Sequence, residues 1–156
     1  MNWFVIPITT VLLLCVLRID TATAADPSLV IITSAQSDIH KLSRLQVIDI
    51  YMGRYKTLES GEHVTPIDYA PDTFPPLRSV FYKKLVNRTE KAIRLYWSRL
   101  VFSARAQPPE TVSSQEEMLS YISANLNQLG YVDERMVSPS VKVVYRLNES
   151  PEQARY

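Results

Sequence analysis

The chain has 156 residues, of which 46% are hydrophobic and 21% charged, and its formal net charge is +1. This composition is typical of one globular domain, and the near-zero charge gives no basic footprint for nucleic acid. It has three glycines, Gly53, Gly61 and Gly130, which are too far apart to form a glycine-rich phosphate loop. The sequence therefore excludes the nucleotide-binding motifs that depend on such a loop.

The first 24 residues predict a secretory signal peptide. The apolar run from Phe4 to Leu17 is shorter than the roughly 20 residues that a membrane-spanning helix needs, and it suits a signal core of about 7–15 residues. Ala22-Thr23-Ala24 is typical of a cleavage site and predicts Ala25 as the mature N-terminus. Cleavage would remove Cys15, the only cysteine, so we expect neither disulfides nor thiolate chemistry afterwards. The sequence thus predicts export with no membrane span after cleavage; an uncleaved anchor is the alternative, because no basic side chain precedes the apolar run.

The remaining residues alternate between β-branched apolar runs and helical apolar stripes, which predicts alternating strands and helices. Helix starts are marked by Ser43, by Thr89 and by Ser113, which forms a capping box with Glu116 that Ser114 with Glu117 reinforces; Gly53 predicts a helix end. In chain order we predict a strand at 29–32, a helix ending at 53, a hairpin or a pair of short extended segments at 55–58 and 64–67, a loop at 69–76 and a helix over 77–85. We then predict a helix from 90 with an apolar stripe at 93, 96, 97, 100 and 101, a loop at 103–111, a helix reaching 126, and strands at 130–132 and 141–147.

Strands at both ends of this pattern, with helices between them, predict an α/β fold. Helices of this kind bury their apolar faces against a sheet, so we expect a central sheet flanked by helices. Trp97 lies at the centre of the strongest helical stripe and is expected in the core. One domain is predicted over residues 25–156, with a frayed polar tail at 148–156.

The side chains suited to catalysis or metal binding fall in no recognised pattern. His40 and His63 lack the spacing of metal ligands, and no serine lies in a nucleophile-elbow motif. Asp68 and Asp72 are close in sequence, but a catalytic carboxylate pair must be placed by the fold. We therefore predict no catalytic residue, no metal site and no cofactor, and a hydrolase ranks last among the alternatives.

Six segments follow one another in a recognisable order: 42–53 (LSRLQVIDIYMG), 61–68 (GEHVTPID), 77–85 (LRSVFYKKL), 96–103 (YWSRLVFS), 107–109 (QPP) and 129–132 (LGYV). In this order they resemble the periplasmic phosphate-binding-protein-like family, specifically its small single-lobe members, which include phosphate ABC transporter substrate-binding proteins. The resemblance implies a single type-2 periplasmic-binding-protein-like lobe with a non-enzymatic role in the periplasm. It also implies phosphate or another small oxyanion as ligand, and a membrane transporter or sensor as partner.

A helix N-terminus beside a strand end is a ready site for an anion. The ligand-binding candidates are accordingly Thr33 and Ser34, after the first strand, and Thr73, before the second predicted helix. Arg78 on that helix is the candidate countercharge. Because Pro75 and Pro76 have no N–H to donate, we expect weak binding, with a dissociation constant in the micromolar-to-millimolar range.

The alternative function is that of a ligand-free periplasmic interaction module. In that case one face of the lobe would dock on a membrane signalling or envelope protein. A neighbouring gene for permease subunits would favour the solute-binding function, and one for a membrane receptor would favour the interaction module.

Overall fold

The computed structural model describes residues 27–71 and 77–147. The predicted signal peptide at 1–24, Thr73 and the predicted tail at 148–156 lie outside the described residues. The described elements are β1 (Leu29–Ser34), α1 (Arg44–Tyr51), β2 (Thr65–Tyr69), α2 (Leu77–Val86), α3 (Glu90–Phe102), β3 (Glu110–Val112), α4 (Gln115–Ala124), β4 (Gln128–Asp133), a 3-10 turn at Glu134–Met136 and β5 (Val141–Arg146).

The strands of the described ranges form one mixed sheet in the order β3-β2-β4-β1-β5. β1 is antiparallel to both β4 and β5, whereas β2 is parallel to both β3 and β4. Every side chain of β1 is buried, as expected for an inner strand that is covered on both faces. The predicted α/β fold with a central sheet flanked by helices is therefore confirmed.

Two neighbouring residues of β4 show which helices cover each face of the sheet. A Cβ atom built on Gly130 would lie 2.5 Å from the sulfur of Met118, so α4 packs directly on this side. Tyr131 points to the opposite face, where its ring stacks on Phe81 of α2 with centroids 3.8 Å apart. Tyr51 of α1 meets both rings edge-on. The core therefore has two layers, one under α4 and one under α1 and α2.

Trp97 of α3 is only 6% exposed, as its place in the apolar stripe predicts. It packs on Gly53, which follows α1 with a φ of +68°. A Cβ atom on Gly53 would lie 2.7 Å from the Trp97 ring. Gly53 thus supplies both the left-handed backbone that ends α1 and the space that the indole occupies.

Two segments differ from their sequence predictions because distant chain partners decide their pairing. The predicted hairpin is reduced to an isolated bridge between Thr57 and His63. Its second half belongs instead to β2, which lies parallel to β4 in the main sheet. β3 begins inside the predicted loop 103–111, directly after Pro109, and extends the same sheet beyond β2.

The start of α4 uses the second of the two predicted serine–glutamate pairs. The N-cap is Ser114, whose hydroxyl accepts a hydrogen bond from the backbone N–H of Glu117. The Glu117 carboxylate in turn accepts from the N–H of Ser113 at 2.6 Å. Two overlapping Ser-x-x-Glu motifs occur in the sequence, and the second of them is used.

Candidate functional site

A buried carboxylate organises the end of β2. Asp68 is 2% exposed, and its two oxygens accept four hydrogen bonds. Oδ1 accepts from the hydroxyl of Tyr131 at 2.6 Å and from the N–H of Tyr69 at 2.8 Å. Oδ2 accepts from the hydroxyl of Tyr82 at 2.8 Å and from Nε of Arg78 at 3.0 Å. The carboxylate is therefore fully satisfied within the protein, which is what allows it to be buried with its charge.

The tyrosines of this cluster are held neutral as hydrogen-bond donors. Burial, followed by the negative charge of Asp68, raises the pKa of both Tyr82 and Tyr131 well above the usual value. The same two causes raise the pKa of Tyr51, which lies deeper in the same layer. These hydroxyls consequently keep their protons throughout the neutral pH range.

Arg78 is anchored to Asp68 but is not saturated. Burial alone would lower the pKa of its guanidinium, yet the charge of Asp68 and the neighbouring tyrosines raise it above the usual value, so the group stays charged. The guanidinium carbon lies 5.1 Å from the centre of the Tyr82 ring. Nη1 is buried and has no hydrogen-bond partner among the described residues, and Oε1 of Glu90 lies 4.0 Å from it. Within the described ranges, this end of the fixed guanidinium is therefore only loosely paired.

Arg78 lies in the wall of an open cleft of about 680 Å³, which we call the β2 cleft. The cleft is bounded by the end of β2, the start of α2, the second half of α3 and the segment before β3. Its lining consists of Asp68, Pro71, Arg78, Arg94, Trp97, Ser98, Val101, Phe102, Pro108, Pro109 and Thr111. Most of these side chains are apolar, and the charged groups lie at one end.

The predicted site residues do not come together as the sequence suggested. Thr33 and Ser34 lie at the end of β1, which runs antiparallel to β2, so they lie at the end of the sheet where β2 begins. Arg78 lies at the opposite end of the sheet, where β2 ends. The prediction that the first strand ends beside the start of α2 is therefore wrong.

Thr33 and Ser34 are also fully engaged in the fold. The Thr33 hydroxyl donates to the carbonyl of Gln128 at 3.0 Å, and the Ser34 hydroxyl donates to the carbonyl of Ser123 at 3.3 Å. Both residues are buried, so they serve to close the turn between α4 and β4. Of the three predicted site residues that the structure describes, Arg78 is the one that lines the β2 cleft, and its binding role stays a prediction.

Sequence reasoning missed the partners of Arg78. Tyr82 follows Arg78 by one helical turn, and this spacing was a signal that both share a face of α2. Tyr131 comes from a strand more than 60 positions away from Asp68, so nothing local marked it. Glu90 and Arg94 form an ion pair along α3, with 3.8 Å between the charged atoms, and no sequence motif marked it.

Within residues 27–71 and 77–147, no group of three histidine, cysteine, aspartate or glutamate side chains is placed to hold a metal ion. In the same ranges, no helix combines the length and the apolar character that crossing a bilayer requires.

Comparisons with known proteins identify the fold. No protein-family model matches the chain, and no curated protein sequence matches it significantly. The fold is similar to that of an ABC-type phosphate transport receptor from Vibrio cholerae, with a TM-score of 0.57 and 16% sequence identity; the match covers 76% of this chain and 45% of the receptor chain. It is also similar to that of a Clostridium perfringens protein solved with bound phosphate, with a TM-score of 0.56 and 19% identity, and here the match covers 76% of this chain and 44% of the other.

PstS from Borrelia burgdorferi gives a similar match, at a TM-score of 0.50 and 15% identity, over 76% of this chain and 46% of its own. The chain therefore spans less than half the length of these structures. The class that fold and coverage define is a single periplasmic-binding-protein-like lobe, and the resemblance found in the sequence is confirmed at the level of the fold.

Proposed function

We propose that this chain is an exported, non-enzymatic solute-binding module that binds a small oxyanion in the β2 cleft for a membrane transporter or sensor. The observation that carries the proposal is that the buried, charged Arg78 lines the wall of an open cleft. The fold supports it, because the matching structures include a phosphate transport receptor and a protein with bound phosphate.

The pairing with Asp68 is what makes Arg78 suitable for binding. Because Nε donates to Asp68, the plane of the guanidinium is fixed before any ligand arrives. Fixing a donor in advance reduces the entropy lost on binding. An oxyanion in the β2 cleft would add a second negative partner to this positively charged guanidinium.

The place of action rests on the sequence. The apolar run at 4–17 and the cleavage motif at 22–24 support export, and periplasmic or extracellular action agrees with the transport role of the matching structures. The proposed partner, a transporter or sensor in the membrane, rests on the same comparison.

A thermal-shift screen of the purified protein against phosphate, sulfate and small carboxylates tests the proposal. A ligand at one hundred times its dissociation constant stabilises the folded state by about 2.7 kcal/mol. We expect at least one anion to raise the melting temperature of the wild type but not of Arg78→Lys, which keeps the charge beside Asp68 and loses the planar donor set.

Arg99→Lys is the matched control, because Arg99 is an exposed residue of α3 outside the β2 cleft. It should respond to the anion as the wild type does. If no anion shifts the melting temperature, or if Arg78→Lys responds fully, binding through Arg78 is excluded.

A second candidate function is docking on a membrane signalling or envelope protein without a small ligand. Phe102, at the end of α3, favours it because its side chain is 97% exposed. A photo-crosslinking residue at position 102, with the same residue at position 95 as control, would trap a protein partner in envelope preparations if docking occurs here. Crosslinks from neither position, or equally from both, would count against this function.

A further inference from the structure

The walls of the β2 cleft do not suit a small inorganic ion. Their apolar residues include Trp97, Val101, Phe102, Pro108 and Pro109. A phosphate ion has no surface that gains from contact with such side chains, whereas a hydrocarbon or aromatic group does. The size of the cleft, about 680 Å³, also exceeds what one oxyanion needs and falls in the range of sites for organic ligands.

The charges around Arg78 in the β2 cleft cancel one another. Arg78 lies 3.0 Å from Asp68 and 4.0 Å from Glu90. Arg94 lies 3.8 Å from the other oxygen of Glu90. Two cations thus face two carboxylates, and a dianion placed at Arg78 would also meet the negative charge of Glu90. Phosphate groups carry between one and two negative charges at neutral pH, so a ligand with a single charge is favoured over them.

We infer that the ligand of the β2 cleft is a monocarboxylate with an apolar body. Its carboxylate pairs with the guanidinium of Arg78, and its body lies against Trp97, Val101 and Phe102. A carboxylate is planar, carries one charge and matches the guanidinium geometry. This inference rests on the proposed function and names the chemical class of its ligand.

Calorimetric titration of the purified protein with four probes tests the inference. Phenylacetate has both features, acetate lacks the apolar body, phenylacetamide lacks the charge, and phosphate has more charge and no body. We expect phenylacetate to bind at least about tenfold more tightly than acetate, because burying one aromatic ring accounts for a factor of this size. Phosphate and phenylacetamide should both bind more weakly than phenylacetate.

Two variants separate the contribution of the apolar body to the affinity from that of the charged head group. Phe102→Ser, at a fully exposed position, should fold normally. It should lower the affinity for phenylacetate to nearly that for acetate, without changing the affinity for acetate. Leu95→Ser is its control, because Leu95 is an exposed α3 residue outside the β2 cleft. Glu90→Gln should increase the affinity for phosphate severalfold, since it removes the carboxylate nearest to Nη1.

The outcomes distinguish this inference from the function on which it rests. If phosphate or acetate binds as tightly as phenylacetate and the binding requires Arg78, the ligand class is wrong and the solute-binding function stands. If phenylacetamide binds as tightly as phenylacetate, the carboxylate contact is wrong. If none of the four probes binds, both the inference and the proposed function are contradicted.

Discussion

Arg78 and Asp68 form a buried ion pair in which Nε lies 3.0 Å from Oδ2, and this pair joins the start of α2 to the end of β2. Their side chains are 7% and 2% exposed, so neither charge has much access to water. The same contact fixes the guanidinium at the wall of the β2 cleft. One interaction therefore serves both the fold and the proposed site.

Removing the cation alone should be strongly destabilising. Arg78→Ala leaves the Asp68 carboxylate buried without its countercharge, and breaking a buried pair in this way costs about 3–5 kcal/mol. Denaturant unfolding monitored by circular dichroism measures the loss. Arg99→Ala, at an exposed site, should change the free energy of unfolding by no more than about 0.5 kcal/mol. Equal stability of Arg78→Ala and wild type would show that the pair does not hold α2 in place.

The buried tyrosines predict a loss of stability in alkali. Tyr82 and Tyr131 have raised pKa values because they are buried beside Asp68, whereas tyrosines of the unfolded chain titrate near pH 10. The folded state therefore keeps protons that the unfolded state releases in alkali. The contribution of these two tyrosines to the free energy of unfolding is complete below about pH 10 and declines as the pH rises further.

Unfolding curves measured at pH 8 and at about pH 10.5 check this sign. Tyr131→Phe removes one of the titrating groups and should make the decline shallower. Stability that stays constant or rises between these two pH values would contradict the neutral hydroxyl donors around Asp68.

Gly53 should resist substitution for two separable reasons. Gly53→Ala places a side chain on a residue with a φ of +68° and brings its Cβ to within 2.7 Å of Trp97. Backbone strain of this kind costs about 1–3 kcal/mol, and the overlap with the indole adds to it. Gly61→Ala is the matched control, because Gly61 also has a positive φ but nothing lies within 4 Å of its added Cβ. A smaller loss for Gly53→Ala than for Gly61→Ala, by thermal unfolding, would show that Trp97 does not fill this space.

Export remains a prediction from the sequence alone. Intact-mass measurement of the protein from its native envelope fraction should give a chain that starts at Ala25, or within a residue or two of it, because the cleavage motif ends at Ala24. A full-length mass with Met1 retained in the membrane fraction would instead support the uncleaved anchor.

Elements whose sequence signals are local were predicted well. The helix starts at Ser43 and Thr89 rest on side chains that bond to the backbone three residues ahead, and both caps are present. The end of α1 at Gly53 and the burial of Trp97 follow from backbone freedom and helical spacing. These features need no knowledge of the rest of the chain.

Strand pairing and the site depended on contacts distant in sequence. The turn residues at 60–62 favour local pairing and predict a hairpin, whereas the partner of β2 is β4, which lies more than 60 positions further along the chain. The sequence does not reveal that β1 is antiparallel to β4, and this direction puts Thr33 and Ser34 at the opposite end of the sheet from Arg78. The binding role of Arg78 stays a prediction, and the position of Glu90 near it depends on how α3 lies against α2.

The most important prediction is that an anion binds in the β2 cleft through Arg78. Titration of the purified protein with an anion, followed by proton–nitrogen correlation spectra, tests it most directly. The chain has two tryptophans, and Trp97 lines the cleft while Trp3 lies in the predicted signal segment, so the Trp97 indole N–H is a specific reporter. We predict that the Trp97 indole signal and the Arg78 Nε–H signal shift together and saturate with phenylacetate, and that the indole shift is lost in Arg78→Lys. Saturating shifts elsewhere in the protein, with both of these signals unmoved, would contradict the account.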